Sequence, residues 1–218
     1  DWKMHSRGVK TVRYADDIVV FAKSKRAAER PLEFSRKYLE GKLKLKMNTE
    51  KSKVTSIFAV KEFKFLGFCI GKNGSGIYIR AHRKSLNKAK EKLKLLTKRN
   101  RGRNVRRVMA EVKVFIRGWL GYCHVAEMKR MMKSWDEWLR RRFRMYIWKQ
   151  WKKPRTKVAN LKKLGIPADK AYQWGNSRLG YWRIAGSPVL ACSITNERLA
   201  TAGYFSILNC YESLHSCD

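Results

Sequence analysis

The sequence is poor in acidic residues: 17 Asp plus Glu stand against 51 Lys plus Arg, a formal net charge of +34 over 218 residues. Such a chain repels itself, and the cost is offset when a polyanion neutralises it. Nucleic acid is the leading partner on this ground, and an anionic membrane surface is the weaker one. Long apolar runs are also missing. No stretch approaches the ~18 consecutive apolar residues that a membrane span needs, and no signal-peptide pattern opens the chain, so no membrane partner is expected. The cysteines (Cys69, Cys123, Cys192, Cys210 and Cys217) are odd in number and include no CxxC pair. They read as reduced, mostly buried thiols and argue against a zinc site. His5, His82, His124 and His215 are scattered without metal-ligand spacing and read as non-catalytic. No internal repeat or low-complexity tract is visible.

Apolar material is plentiful. Hydrophobic residues make up 44% and aromatic residues 12%, with eight tryptophans. That suffices for a packed core in one large or two small domains. Thr11 to Tyr14 and Ile18 to Ala22 are β-branched and aromatic runs flanking Ala15-Asp16-Asp17, a strand-turn-strand pattern. Ser24 suits a helix N-cap, and Ala28, Leu32, Ser35, Leu39 and Leu43 fall on one helical stripe interrupted by Pro31. Strand character returns over residues 54–70, followed by the turn "GKNGSG" and a short strand "IYIR". From Ala81 the period becomes helical. Leu86, Leu93 and Leu96 mark one helix, ended by "RNRGRN". Asn104 caps a second, carrying Val108, Val112, Phe115 and Trp119. Met128, Met131, Trp135, Leu139, Tyr146 and Ile147 trace a third, ended by Pro154. Short elements and a last helix from about Asn196 complete the chain. Three regions are expected: a β-rich one over 1–80, a three-helix unit over 81–153 and a small, mostly helical tail over 154–218. The fold class is α+β.

The feature out of keeping with the basic background is "YADD", which sets two carboxylates side by side at a hairpin tip, in a hairpin that reads as buried. Two-metal nucleotidyl transfer uses carboxylates to hold two Mg2+ ions ~4 Å apart, one activating the attacking hydroxyl and one stabilising the leaving group. Magnesium binds through one or two carboxylates plus the substrate's phosphates. On these four letters alone an ordinary solvated turn is the better reading, because Asp is a favoured turn residue.

The surrounding motifs change the balance. "VRYADDIVVFAKSKRAAE", then "KLKLKMNTEKSKV", then "FKFLGFCI" resemble three successive motifs of reverse-transcriptase palms in order and spacing. These alone also suit retron-like or other reverse transcriptases. Downstream, "IRGWLGYC", "DEWLRRRFRMYIWKQWKKPRT", "LKKLGIP" and "GYWRIAGSPVL" resemble the thumb and maturase-specific region of group II intron-encoded proteins. The resemblance covers nearly the whole chain. It implies the C-terminal part of a palm over 1–80, a thumb and maturase-specific helical domain over 81–153, and a nucleic-acid-binding extension over 154–218. It also implies an RNA-directed DNA polymerase and maturase that binds intron RNA, assists splicing and, in the full-length protein, engages an RNA template with DNA primer and a target DNA.

Position by position, Asp16 and Asp17 match the paired Mg2+-binding catalytic aspartates. Tyr14 and Ala15 match the residues before them, with Ala15 toward the primer end. Asn48, Lys51 and Lys53 match the next palm motif, and Phe65, Leu66 and Gly67 the hairpin that supports the primer. The family's third metal-binding aspartate and its fingers region lie upstream of anything present. The chain is therefore expected to be the C-terminal portion of such a protein, to start partway through a longer reading frame at Asp1, and not to polymerise alone. No HNH-like Cys or His array follows the tail. The compartment implied is bacterial cytoplasm, with an intron ribonucleoprotein or the nucleoid; an organelle is the alternative.

Positive charge concentrates in two places. Between Arg80 and Arg107 there are thirteen Lys or Arg residues and one acid, Glu91. Arg83, Lys84, Lys88, Lys98, Arg99, Arg101, Arg103, Arg106 and Arg107 are the candidates there for backbone contact with RNA. "RRRFRMYIWKQWKKPRTK" adds Arg140, Arg141, Arg144, Lys149, Lys152, Lys153, Arg155 and Lys157, together with Trp148 and Trp151. An exposed indole stacks on an unpaired base, but core positions suit both tryptophans equally well. Any single lysine in the first run is better read as a solvated face. A generic basic scaffold of ribosomal type fits the charge without accounting for the three ordered palm motifs.

Overall fold

The computed structural model describes residues 2–59, 63–74 and 76–215; Asp1 and Cys217 fall outside the described residues. The fold is α+β, with two small antiparallel sheets, and separates into two compact units, Asp1–Ser85 and Leu86–Asp218.

In the first unit, α1 (Trp2–His5) precedes a hairpin of β1 (Thr11–Tyr14) and β2 (Asp17–Val20), in register Thr11↔Val20 through Tyr14↔Asp17. Ser24 caps α2 (Lys25–Lys37), its hydroxyl accepting from the Ala27 amide at 3.2 Å. Pro31 sits inside α2, and the Ser35 hydroxyl donates to the Pro31 carbonyl at 2.7 Å. The helix closes in a π-type turn over Tyr38–Lys42. Residues 54–59 are not a strand, contrary to expectation. The Ser56 hydroxyl and carbonyl accept from the Phe58 and Ala59 amides, a local turn that takes those groups out of any ladder. The second sheet is the hairpin β3 (Phe68–Asn73) and β4 (Gly76–Ala81). Gly71 lies opposite Tyr78, and a Cβ there would meet the Tyr78 ring at 2.5 Å, which explains the glycine.

The second unit is built on α3 (Arg83–Leu96), which runs across the division between the units, α4 (Val105–Cys123) and α5 (Lys129–Gln150). Asn104 caps α4, accepting from the Arg106 amide at 2.8 Å. Val108, Val112, Ile116, Leu120 and Cys123 recur at helical spacing and are buried, against Met132, Trp135, Leu139, Phe143 and Tyr146 of α5. Trp119 and Trp135 stack with centroids 5.4 Å apart. Helix α5 ends at Gln150 rather than at Pro154; the proline instead opens α6 (Pro154–Lys163), where its missing N–H costs nothing. Then come α7 (Ala168–Gly175), α8 (Tyr181–Ala185), α9 (Pro188–Ser193), α10 (Asn196–Thr201) and α11 (Ile207–His215). The expected last helix is thus two, parted at Gly203, whose φ of +104° suits a residue without a side chain. Helix α8 packs on α5, and α11 on α4 and α5.

Two polar junctions hold the tail. Buried Asp136 of α5 accepts from the Tyr204 hydroxyl at 2.5 Å, the Ser206 hydroxyl at 2.7 Å and the Ile207 amide at 2.9 Å. Tyr211 donates its hydroxyl proton to the Ala126 carbonyl and accepts from the Met128 amide, tying α11 to the α4–α5 connection. Among the described residues no helix is long and apolar enough to cross a membrane.

Candidate functional site

The Asp16 and Asp17 pair sits in a two-residue hairpin. Tyr14 pairs with Asp17, so Ala15 and Asp16 form the loop and Asp17 opens β2. Ala15 has φ +49°, a conformation uncommon outside glycine. The hairpin is not buried within this chain, contrary to expectation. Both aspartates are exposed, as are Val12 (49%), Tyr14 (64%) and Ile18 (52%). Cross-strand partners share a face, so Val12, Tyr14, Asp17 and Val19 lie on one side of the ribbon. Among the described residues each strand of the hairpin has the other as its sheet partner, in a two-stranded ribbon.

The two carboxylates suit a hard, oxygen-seeking ion such as Mg2+. Among the described residues no group of three or more His, Cys, Asp or Glu side chains gathers to hold a metal. The pair would supply two adjacent oxygen ligands to such an ion.

Asn48 organises its own loop: its side-chain oxygen accepts from the Glu50 and Lys51 amides, both at 3.1 Å, leaving Lys51 and Lys53 exposed. Phe65 and Phe68 exchange amide-to-carbonyl bonds of 3.0 and 2.8 Å around Leu66 (φ +50°) and Gly67 (φ +83°). Positive φ at both central residues is the type I′ hairpin turn. The Gly67 carbonyl is clamped by the His82 amide at 2.8 Å and the Ser85 hydroxyl at 3.1 Å. His82 in turn caps α3, its Nδ1 accepting from the Lys84 amide at 3.1 Å, which requires a neutral ring at that nitrogen. Burial, then the charges of Lys64 and Lys84, hold its pKa below the ordinary imidazole value. The sequence reading missed His82 and Ser85; a histidine directly before a helical run was the available signal.

The basic candidates divide into two classes. Arg83, Lys84, Lys88, Lys98, Arg99, Arg106, Lys152, Lys153 and Arg155 are exposed. Others are taken up within the second unit. Arg101 bonds Glu111 at 2.8 Å, Arg103 also bonds it, and Arg107 approaches it at 3.8 Å. The Arg101 hydrogen bond foremost holds the Glu111 carboxyl below its usual range. Arg140 pairs with Asp136 at 3.3 Å. Arg141 donates twice to the Trp182 carbonyl and lies over its ring. Arg144 donates to the Ile194 carbonyl at 2.8 Å and to Asn196. Arg142, outside the candidate set, reaches the Lys94 and Thr97 carbonyls at the end of α3. Trp148 is 1% exposed and belongs to the core, while Trp151 is half-buried beside it. Lys149 is half-buried, and Lys157 is 9% exposed.

Two family models match the chain in succession. "Reverse transcriptase (RNA-dependent DNA polymerase)" matches residues 1–70, and "Group II intron, maturase-specific domain" matches residues 86–165. A comparison with curated proteins finds no match. The first range contains the aspartate pair in its hairpin turn; the second contains α4, α5 and α6 and most of α3. With these two domains in this order on one chain, the protein belongs to the group II intron-encoded reverse transcriptases and maturases.

Proposed function

We propose that this chain contributes the end of the polymerase palm (1–80), the thumb and maturase-specific helices (81–153) and a nucleic-acid-binding extension (154–218) to an RNA-directed DNA polymerase that also binds its intron RNA and assists splicing. The observation that carries the reading is the succession of reverse-transcriptase and maturase-specific matches, with adjacent carboxylates at a hairpin turn inside the first. In the complete polymerase Asp16 and Asp17 would hold Mg2+, which would supply Lewis-acid activation of the primer's 3′-hydroxyl and charge stabilisation for the pyrophosphate leaving group. The exposed Tyr14 and Ala15 border the primer end, and the type I′ turn at Leu66–Gly67 supports the primer from a rigid, doubly clamped position. Asn48, Lys51 and Lys53 line the neighbouring loop. Exposed Lys and Arg side chains of α3, of the α3–α4 connection and of residues 152–155 bind RNA phosphates. RNA template with DNA primer and target DNA are partners of the complete protein.

A second reading is a maturase-type RNA-binding protein that does not polymerise; the maturase-specific match over residues 86–165 supports it. Both readings require RNA binding. Its test is a filter-binding titration of the host intron RNA against a control RNA of equal length, from 50 to 200 mM KCl. Six or more phosphate contacts predict a loss of affinity of ~10³-fold or more over that range, with the intron RNA retaining the tighter binding. A flat salt response, or equal affinity for both RNAs, contradicts the proposal.

A further inference from the structure

We propose that Lys157, Lys149 and Arg99 form a pocket for one backbone phosphate of a bound nucleic acid, built around the ring of Tyr181. The three cations come from different elements (α6, α5 and the α3–α4 connection) and converge on one phenol. Arg99 Cζ is 4.7 Å, Lys149 Nζ 5.0 Å and Lys157 Nζ 5.9 Å from its ring centroid. Lys157 is 9% exposed, with its ammonium also 4.7 Å from the centroid of the buried Trp148 ring.

The Lys157 stem is buried while its ammonium reaches solvent, and even partial desolvation of a charge without an anion is costly. The ring faces return only ~0.5–2 kcal/mol each. Gathering three like charges adds repulsion. Several other cations of this unit are satisfied by protein groups: Arg101 and Arg103 by Glu111, Arg140 by Asp136, and Arg141 and Arg144 by backbone carbonyls. Among the described residues, Arg99, Lys149 and Lys157 make no ion pair and their side chains donate no hydrogen bond; the Tyr181 hydroxyl makes none either. Three unpaired cations around a free hydroxyl donor, one of them carried on a nine-tenths buried side chain, have the chemistry of a site for a singly charged phosphodiester, which has acceptor oxygens for each of them. The adjoining Lys152, Lys153 and Arg155 are exposed and extend positive charge outward from the pocket.

This inference rests on the RNA-binding reading above, and the experiment separates the two. The full chain carrying Arg99→Gln with Lys149→Gln is compared with a control carrying Lys162→Gln with Lys163→Gln, which removes the same charge from exposed positions of α6. The probes are a fluorescently labelled 20-base-pair RNA duplex and a DNA duplex of equal length, titrated between 50 and 200 mM KCl. Thermal melts check folding, and Lys157→Met, which keeps the apolar stem over Trp148, serves as an independent third variant. The pocket double variant and Lys157→Met are expected to bind about tenfold more weakly, as for loss of a charged hydrogen bond. Their slope of log K against log salt falls by about one relative to wild type. The control shifts affinity no more than about twofold, with unchanged slope. Loss on both duplexes, or on RNA alone, supports the pocket. A steep wild-type salt response with pocket and control variants indistinguishable overturns the pocket and leaves RNA binding standing. No wild-type binding to either duplex overturns both.

Discussion

The hydroxyl of Tyr204 donates to a carboxylate oxygen of Asp136 at 2.5 Å, although 68 residues separate them. Asp136 is 2% exposed and also accepts from Ser206, from the Ile207 amide and from Arg140. One carboxylate on α5 therefore fixes the entry to α11. Removing it strands several buried donors at once. Asp136→Ala is expected to cost ~3–5 kcal/mol, the penalty for leaving buried partners uncompensated, and Tyr204→Phe ~1–2 kcal/mol, a single hydrogen bond. Urea unfolding of the chain followed by tryptophan fluorescence measures both, and near-equal effects would contradict this account of Asp136 as the shared acceptor.

The same contact predicts an alkaline limit. Burial first, then the negative charge of Asp136, raise the Tyr204 pKa. In the unfolded chain this phenol ionises near its ordinary value of about 10, while the folded protein keeps it protonated. The contribution is fully present below that value and lost as pH rises above it, because the unfolded state then binds fewer protons. The midpoint of unfolding should fall more steeply between pH 9.5 and 11, taken as a range about that ordinary value, in wild type than in Tyr204→Phe.

At the other end of the scale, His82 caps α3 only while Nδ1 is unprotonated. Its pKa is lowered in the folded state, chiefly by burial. The stability it supplies is therefore present above the imidazole value of about 6.5 and declines as pH falls below it, since the unfolded state takes up the proton first. Hydrogen exchange at the Lys84 amide should accelerate relative to the intrinsic rate as pH falls through that range. His82→Asn, which can cap without titrating, should remove the pH dependence.

Gly67 is held at φ +83° with Ser85 Oγ 3.1 Å from where a Cβ would lie. Gly67→Ala should destabilise the turn by ~1–2 kcal/mol from backbone strain alone. Ser85→Ala, which frees space but removes the bond to the Gly67 carbonyl, should be measurably less damaging. Thermal melts of the two variants decide the order.

Much of the helical unit was legible in the sequence because its cues are local. Asn104 stands directly before the Val108, Val112, Trp119 stripe, and the Ser24 cap is equally plain. The 54–58 run misled, because β-branched residues carry strand propensity while the side chain of Ser56 competes for the same amides. Asp136 looked like one more charge in "DEWLRRR"; its importance comes from partners near position 205, which no periodicity reveals. Arginine is ambiguous for a related reason: Arg141 and Arg144 read as phosphate ligands, yet their guanidinium groups donate to carbonyls of the tail. The hairpin's exposure was hidden because alternation tells which side chains share a face, not whether anything covers it.

The central claim is that Asp16 and Asp17 are metal ligands of a polymerase assembled from more than the described residues. Its most direct measurement is Mg2+-dependent primer extension on an RNA template by this chain fused behind the fingers and palm region of a group II intron reverse transcriptase, comparing wild type with Asp16→Ala and Asp17→Ala. The account predicts DNA synthesis reduced to background in both variants, with intron RNA affinity within about twofold of wild type, because a distant electrostatic change is screened. Synthesis at near wild-type rate by either variant would contradict it.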